Sequence, residues 1–424
     1  FRAGVNAGNS IASGGNYNTF VGDEAGTAIT TGDNNVAIGF QALDAEDAHG
    51  GNVAIGRSAL STLNAGADGF NTAVGHLSGD LMTTGIQNTL IGALAGDALT
   101  VGQNNVAIGV AALTTDVGGS RSVAIGRGAL EAQNMGSTDT NSHNTAVGYG
   151  AGAAVSTGIQ NTLIGGLAGD AITTGQYNVA IGVDALSVED TASKSVAVGT
   201  SALAVQNAGT VDAYNVAVGH NSGVNVTTGV NNTLIGGLAG DALTTGSLSV
   251  AVGYHALGAE DTGGRNVAVG YEALAAQNSD TTNYNTAVGY QAGLSVNTGT
   301  QNTLIGALAA DAMTTGQNNV FVGYAAAGAG VVTGSSNIGI GVAALGPLTS
   351  GANNVAIGED AAAGLTTGSN NLLLGHDAGR TGSPGGSFGT SSNGICLGDE
   401  NISEANIQVD WTVASDQRDK TDFT

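Results

Sequence analysis

Asn34-Asn35-Val36-Ala37-Ile38-Gly39 decides how this chain is read, because the same hexapeptide returns in altered form from end to end. Its closing glycine, the anchor, recurs 22 times between Gly22 and Gly398, and most successive anchors stand 17 residues apart. The residue before each anchor is Val, Ile or Leu, and the residue three before is Val, Thr, Ile or Leu. Four before the anchor stands Asn in nearly every copy, with Ser122, Ser195 and Ser249 among the exceptions. A fixed period of this size marks stacked supersecondary units, none of which can bury its apolar face alone. Within a unit the pattern Val36-Ala37-Ile38 has the two-residue period of a strand. Turn chemistry follows, as in Thr83-Thr84-Gly85, and a second short apolar segment lies just past the anchor, as in Ala42-Leu43. The expectation is an all-β chain, a parallel β-roll or β-solenoid of about 22 rungs with a ~17-residue repeat and two strands per rung. The recurring Asn predicts a ladder of stacked side-chain amides. At roughly 4.8 Å per rung the rod is about 100 Å long.

Composition agrees with thin stacked layers. Glycine accounts for 72 of 424 residues, proline for only 2, and aromatic residues for 4%. No Gly-X-Y triplet runs through the chain, which excludes collagen. The formal net charge of −24 argues against nucleic acid and anionic membranes as partners. One cysteine, Cys396, cannot form an intrachain disulfide. No apolar run reaches the ~18 residues of a membrane span, so no membrane insertion is expected. The chain opens at Phe1-Arg2-Ala3 without Met or a signal peptide, and we expect it to be part of a longer protein.

Position two before the anchor is Ala in most rungs and Leu at Leu90, Leu163, Leu234, Leu304 and Leu373. The strand is therefore apolar on both faces, the mark of a strand covered on both sides. The expectation is that this middle position, Leu163 and Leu234 included, is buried against another chain, giving an intertwined homo-oligomer.

Rungs also come in cycles of four. One reads Asn-Thr-Ala-Val-Gly, the next Asn-Thr-Leu-Ile-Gly, and two of the Val-Ala-Ile/Val-Gly type follow. Length varies almost entirely in one loop per cycle, at 61–70, 131–143, 204–214 and 275–284. Loops of this kind project from the rod and are where a rigid scaffold carries recognition. Met135, Asp139, His143, Asp212, Tyr214, Asp280 and Tyr284 are the candidate receptor contacts. Third-rung loops carry Asp116, Glu189-Asp190 and Glu260-Asp261, each first acid followed five residues later by Arg121, Lys194 or Arg265. We read these as loop-closing surface ion pairs worth under ~1 kcal/mol. A calcium or sugar site is the sharper alternative, but the Gly-Gly-x-Gly-x-Asp calcium pattern does not occur.

The Asn-x-Val-Ala-Ile-Gly rungs, over roughly residues 16–398, resemble the left-handed β-roll heads of trimeric autotransporter adhesins, and with their Thr-Thr-Gly turns they look like the shafts of phage tail fibres. The resemblance implies a homotrimeric fibre. Regularity fades after Gly379, one degenerate rung ends at Gly398, and the chain closes on Ser415-Asp416-Gln417-Arg418-Asp419-Lys420-Thr421-Asp422. This Ser-Asp-x-Arg-x-Lys-x-Asp pattern is similar to the opening of the endosialidase-type intramolecular chaperone of tail fibres, which drives trimer assembly and then cuts itself off. The resemblance implies cleavage at Ala414–Ser415, with Ser415 as nucleophile and Lys420 as its base. The organisation expected is a β-roll shaft over 1–379, a distal rung and fibre tip over 380–414, and the start of a truncated chaperone over 415–424. The partners expected are two further copies of the chain, other tail or filament proteins at the N-terminal end, and a host cell-surface glycan or protein. The setting expected is a virion tail fibre, with a bacterial trimeric surface adhesin or extracellular filament, at the cell surface, as the alternative.

Apart from self-cleavage, the residues suggest no enzyme. The six histidines are isolated in sequence, so no metal and no cofactor are expected. Gly14-Gly15 lacks the Lys-Ser/Thr of a phosphate loop. Asp97, Asp170, Asp241 and Asp311 recur once per cycle, roughly 19 Å apart along the rod. That exceeds the ~5–9.5 Å between the paired carboxylates of glycosidases.

Overall fold

In a computed structural model, which describes residues 1–404, the sequence period becomes a stack of coils. A three-residue strand precedes each anchor glycine, from Thr19–Val21 to Ile395–Leu397, and Arg2–Ala3 completes a parallel sheet of 23 strands. Neighbouring strands pair in register, so that Ala146 stands beside Leu163 and Leu163 beside Ala180. The described residues contain no helix.

The amide ladder forms as expected. The backbone N–H of Asn52 donates to Asn35 Oδ1 at 3.0 Å, and Asn88, Asn105, Asn161, Asn232 and Asn302 repeat the bond to the preceding coil. Most of the Nδ2 groups reach across to a turn carbonyl, commonly of glycine, such as Asn88 to Gly102 at 2.9 Å and Asn161 to Gly175 at 2.9 Å, while Asn266 Nδ2 is buried without a partner. One side chain thus satisfies a strand donor and a turn acceptor, both of which would otherwise be buried unpaired.

The second strand expected in each rung is absent. Ala42-Leu43 lies in a turn in which Gln41 and Leu43 take left-handed φ values of 55° and 54°. Such residues cost roughly 1–2 kcal/mol each. The main-chain bonding explains why the coil tolerates them. Gln41 N–H donates to the Asp23 carbonyl of the coil before, while Leu43 N–H donates to the Ala59 carbonyl of the coil after. Two apolar residues in a row could not reveal this, because a buried turn and a buried strand look alike at that length. Gly39 itself sits at φ 136°, and a Cβ there would collide with the Gly56 carbonyl of the next coil.

The face assignment from sequence is reversed. The position two before the anchor points into the coil, and Phe20, Ala37, Leu90, Leu163 and Leu234 are fully buried within the single chain. The residues one and three before the anchor face outward, and Ile38, Ile91, Ile164, Ile235 and Ile305 keep 36–39% of their surface exposed. The reason is parity. Positions two and four before the anchor share a strand face, and the Asn at four must turn inward to reach the far turn.

Core packing accounts for the four-rung cycle. Where the middle residue is Leu163, the position four past the anchor is glycine in its own coil (Gly169) and in the one before (Gly152). A Cβ on either glycine would come within 2.6–2.7 Å of a Leu163 methyl. Where the middle residue is Ala124 or Ala180, that position holds buried Leu130 or Leu186. Large and small residues exchange places from coil to coil, so a leucine of one coil fills the space that a glycine leaves in its neighbour.

Candidate functional site

The side loops are held to the rod by a buried polar column. Seven residues past successive anchors stand Val155, Ile172, Glu189 and Gln206, then Val226, Leu243, Glu260 and Gln277. All are buried, so two apolar coils alternate with two polar ones. Asp116 and Gln133 occupy the same places in the preceding cycle, and Glu46 the acid's place in the first. Gln206 Nε2 donates to Glu189 Oε2 and to Ser195 Oγ, both at 2.9 Å, and Gln206 Oε1 accepts from Asn215 Nδ2 at 2.8 Å. At Ser122 and Ser195 the ladder asparagine is missing, and the glutamine carries the hydrogen-bond chain past the gap.

Each acid also gathers backbone donors. Glu189 accepts from Ala192 N–H at 2.9 Å and from Ala208 N–H at 3.3 Å. Asp116 accepts from Gly119 and Met135, Glu260 from Gly263 and Ser279, and Glu46 from His49 and Ala65. One donor lies in the acid's own turn and the other 19 residues on, at the root of the side loop. These acids are therefore not the surface ion-pair partners expected of them. They are fully buried, and no salt bridge joins them to Arg121, Lys194 or Arg265 among the described residues. Burial pushes the Asp116 and Glu260 carboxyls above their ordinary range, against the hydrogen bonds that favour the charged form.

The candidate contact residues fall on the outer edges of these loops. Tyr214 and Tyr284, 50% and 52% exposed, stand five before their anchors with exposed His143 at the same place one cycle earlier. The structure spreads the candidates along the rod over three successive cycles rather than gathering them at a single point. Lys194 Nζ bonds Asp212 Oδ2 at 2.6 Å and Tyr214 OH at 3.0 Å, and lies 5.1 Å from the Tyr214 ring centre. Arg265 Nη1 bonds Tyr284 OH at 3.1 Å, with its guanidinium 5.6 Å from that ring centre. Asp139 accepts from Ser120 Oγ and Gln103 Nε2, and Asp280 is exposed. Met135 is half-buried and serves through its backbone, as a donor to Asp116.

Other features emerge only in three dimensions. Asp170, Asp241 and Asp311 each bury one carboxylate oxygen without a hydrogen-bond partner, and burial raises all three carboxyls. Asp97 in the same column is satisfied by Thr114 Oγ1. His376 comes within reach of Asp377 and Asp399, a grouping its isolation in sequence hides. Tyr254, Tyr271 and Tyr290 stack with ring centres 5.4 and 5.5 Å apart. No helix among the described residues is long and apolar enough to cross a membrane. Ser415 and Lys420 lie outside the described residues. No known family model matches the chain, and no curated protein matches it either.

Proposed function

We propose that this chain is the shaft of a phage tail fibre, a non-enzymatic rod wound with two further copies of itself that attaches to the host surface. The observation that supports it most is the outward strand face. Val, Ile, Leu and Thr one and three before each anchor form an apolar strip from Thr19–Val21 to Ile395–Leu397, with no covering element among the described residues. An apolar surface this extended marks an association site, and the continuous repeat makes identical copies the partners that match it rung for rung. The number three comes from the resemblance to trimeric adhesin heads and fibre shafts. By its resemblance, the Ser415–Lys420 segment is read as the opening of a self-cleaving chaperone that assembles the trimer.

Sedimentation equilibrium gives the test. The wild-type chain should run at three times its 41.0 kDa mass. Replacing Ile164 and Ile235 together by Asp should release folded monomers, since both side chains lie outside the coil. A monodisperse folded monomer from the wild-type chain would sink the proposal. For the cleavage step, a precursor with its natural C-terminus should be cut at Ala414–Ser415, and Ser415→Ala should abolish the cut. Cleavage of the Ser415→Ala protein at the same bond refutes that assignment.

A further inference from the structure

The side loops differ in one respect that bears on what they bind. Seven residues before the anchor, two of the four loops carry an acid, Asp68 and Asp212, and the other two carry one two residues further out, Asp139 and Asp280. In the loop of Asp280 the residue seven before the anchor is Thr282. The consequence falls on the cation of the neighbouring coil. Lys194 is neutralised by Asp212, whereas Arg265, like Arg121 at the equivalent place two cycles earlier, has no carboxylate within salt-bridge distance among the described residues. Its one side-chain hydrogen bond goes to the Tyr284 hydroxyl. Arg265 borders a recess of about 190 Å³ that is also lined by Thr245, Ser247, Thr262 and Thr282.

We propose that Arg265 and Tyr284 form a binding site for a carboxylate-bearing sugar ring. Arg265 offers the planar donor fork that pairs with a carboxylate. The half-exposed Tyr284 ring offers an apolar surface for the C–H face of a pyranose, and the Thr and Ser hydroxyls offer partners for ring hydroxyls. The recess is smaller than the ~300–1,000 Å³ of sites for drug-sized ligands, so it takes one ring with the rest of the glycan running outside. The site deepens the host-attachment reading above and rests on it.

Titration of the assembled wild-type protein by calorimetry, with glucuronate-, galacturonate- and sialate-terminated oligosaccharides and their neutral methyl-ester forms, tests the site. At least one acidic probe should bind and its ester should not. Arg265→Gln should weaken binding by roughly tenfold or more, the scale of one charge-assisted hydrogen bond lost. Thr282→Asp should do the same by placing an acid where Asp212 stands, a change that loop geometry accepts in two other cycles. Tyr284→Phe should retain most of the affinity and Tyr284→Ala should lose it. Binding by none of the acidic probes, equal binding of the esters, or unchanged affinity in Arg265→Gln overturns the proposal. Sedimentation of the same samples separates this failure from failure of the fibre reading, because a trimer that binds no acidic sugar refutes only the site.

Discussion

The apolar and polar coils of one cycle share a backbone and differ in what fills the column seven past the anchor. In the coils of Val155 and Ile172 the interior is wholly aliphatic at that position, and any neighbouring coil of the right volume would stack on it. In the coils of Glu189 and Gln206 the interior is a hydrogen-bonded set that can be completed only by the correct neighbour. The difference separates two tasks. Aliphatic coils supply burial, while acid–amide coils mark register and secure the side loop at its root. Buried polar groups often act this way, since a misregistered stack leaves them unpaired.

The largest break expected in this contrast is Gln206→Leu. It takes the side-chain amide from Glu189 and Asn215, leaving them their backbone partners alone, and should cost about 3–5 kcal/mol in chemical denaturation. A milder effect than Ile172→Ala, itself about 2–5 kcal/mol, would show that the polar coil is not what holds the register. Next comes the exchange of large and small residues. Gly152→Ala should destabilise by roughly 2–4 kcal/mol, from overpacking against Leu163 and from a left-handed non-glycine residue. Adding Leu163→Ala should relieve the packing share alone; strictly additive losses would refute the size exchange.

A pH titration sharpens the comparison further. Asp116 and Glu260 bind their protons more tightly folded than unfolded, so their contribution makes the rod more stable as pH falls from neutral towards the ordinary carboxylate range. In thermal melts, Asp116→Asn and Glu260→Gln should flatten that part of the profile, and an unchanged profile would rule out these two acids as its source. The smallest effect belongs outside the column. Asp212→Asn removes the exposed pair with Lys194 and should change stability by under about 1 kcal/mol. A larger loss would mean that the loop's surface pair, rather than Glu189 at its root, holds it in place.

Much of this was legible before any coordinates. The anchor period located the strands from Thr19–Val21 to Ile395–Leu397, though not the short pair Gly119–Ser120 and Thr140–Asn141, and the recurrent Asn announced its ladder, because both are set by repetition along the chain. The face assignment was also within reach: Asn88 and Leu90 have the same parity, so an inward amide implies an inward leucine. The burial of Asp116, Glu189 and Glu260 was harder to see. Their neighbours Arg121, Lys194 and Arg265 suggested surface pairs, and Glu46, whose loop lacks a cation, gave no such cue.

By itself, then, the sequence determined the solenoid, its rung count and the side on which length varies, since each follows from spacing alone. Tertiary structure alone decided that Ala42-Leu43 is a turn, that Leu163 fits over Gly152 and Gly169, that Glu189 meets Gln206, and that Arg265 is left without an acid. Those outcomes depend on which atoms of successive coils meet, and the two-residue alternation within a strand carries no information about contacts made 11 to 19 residues away around the turn.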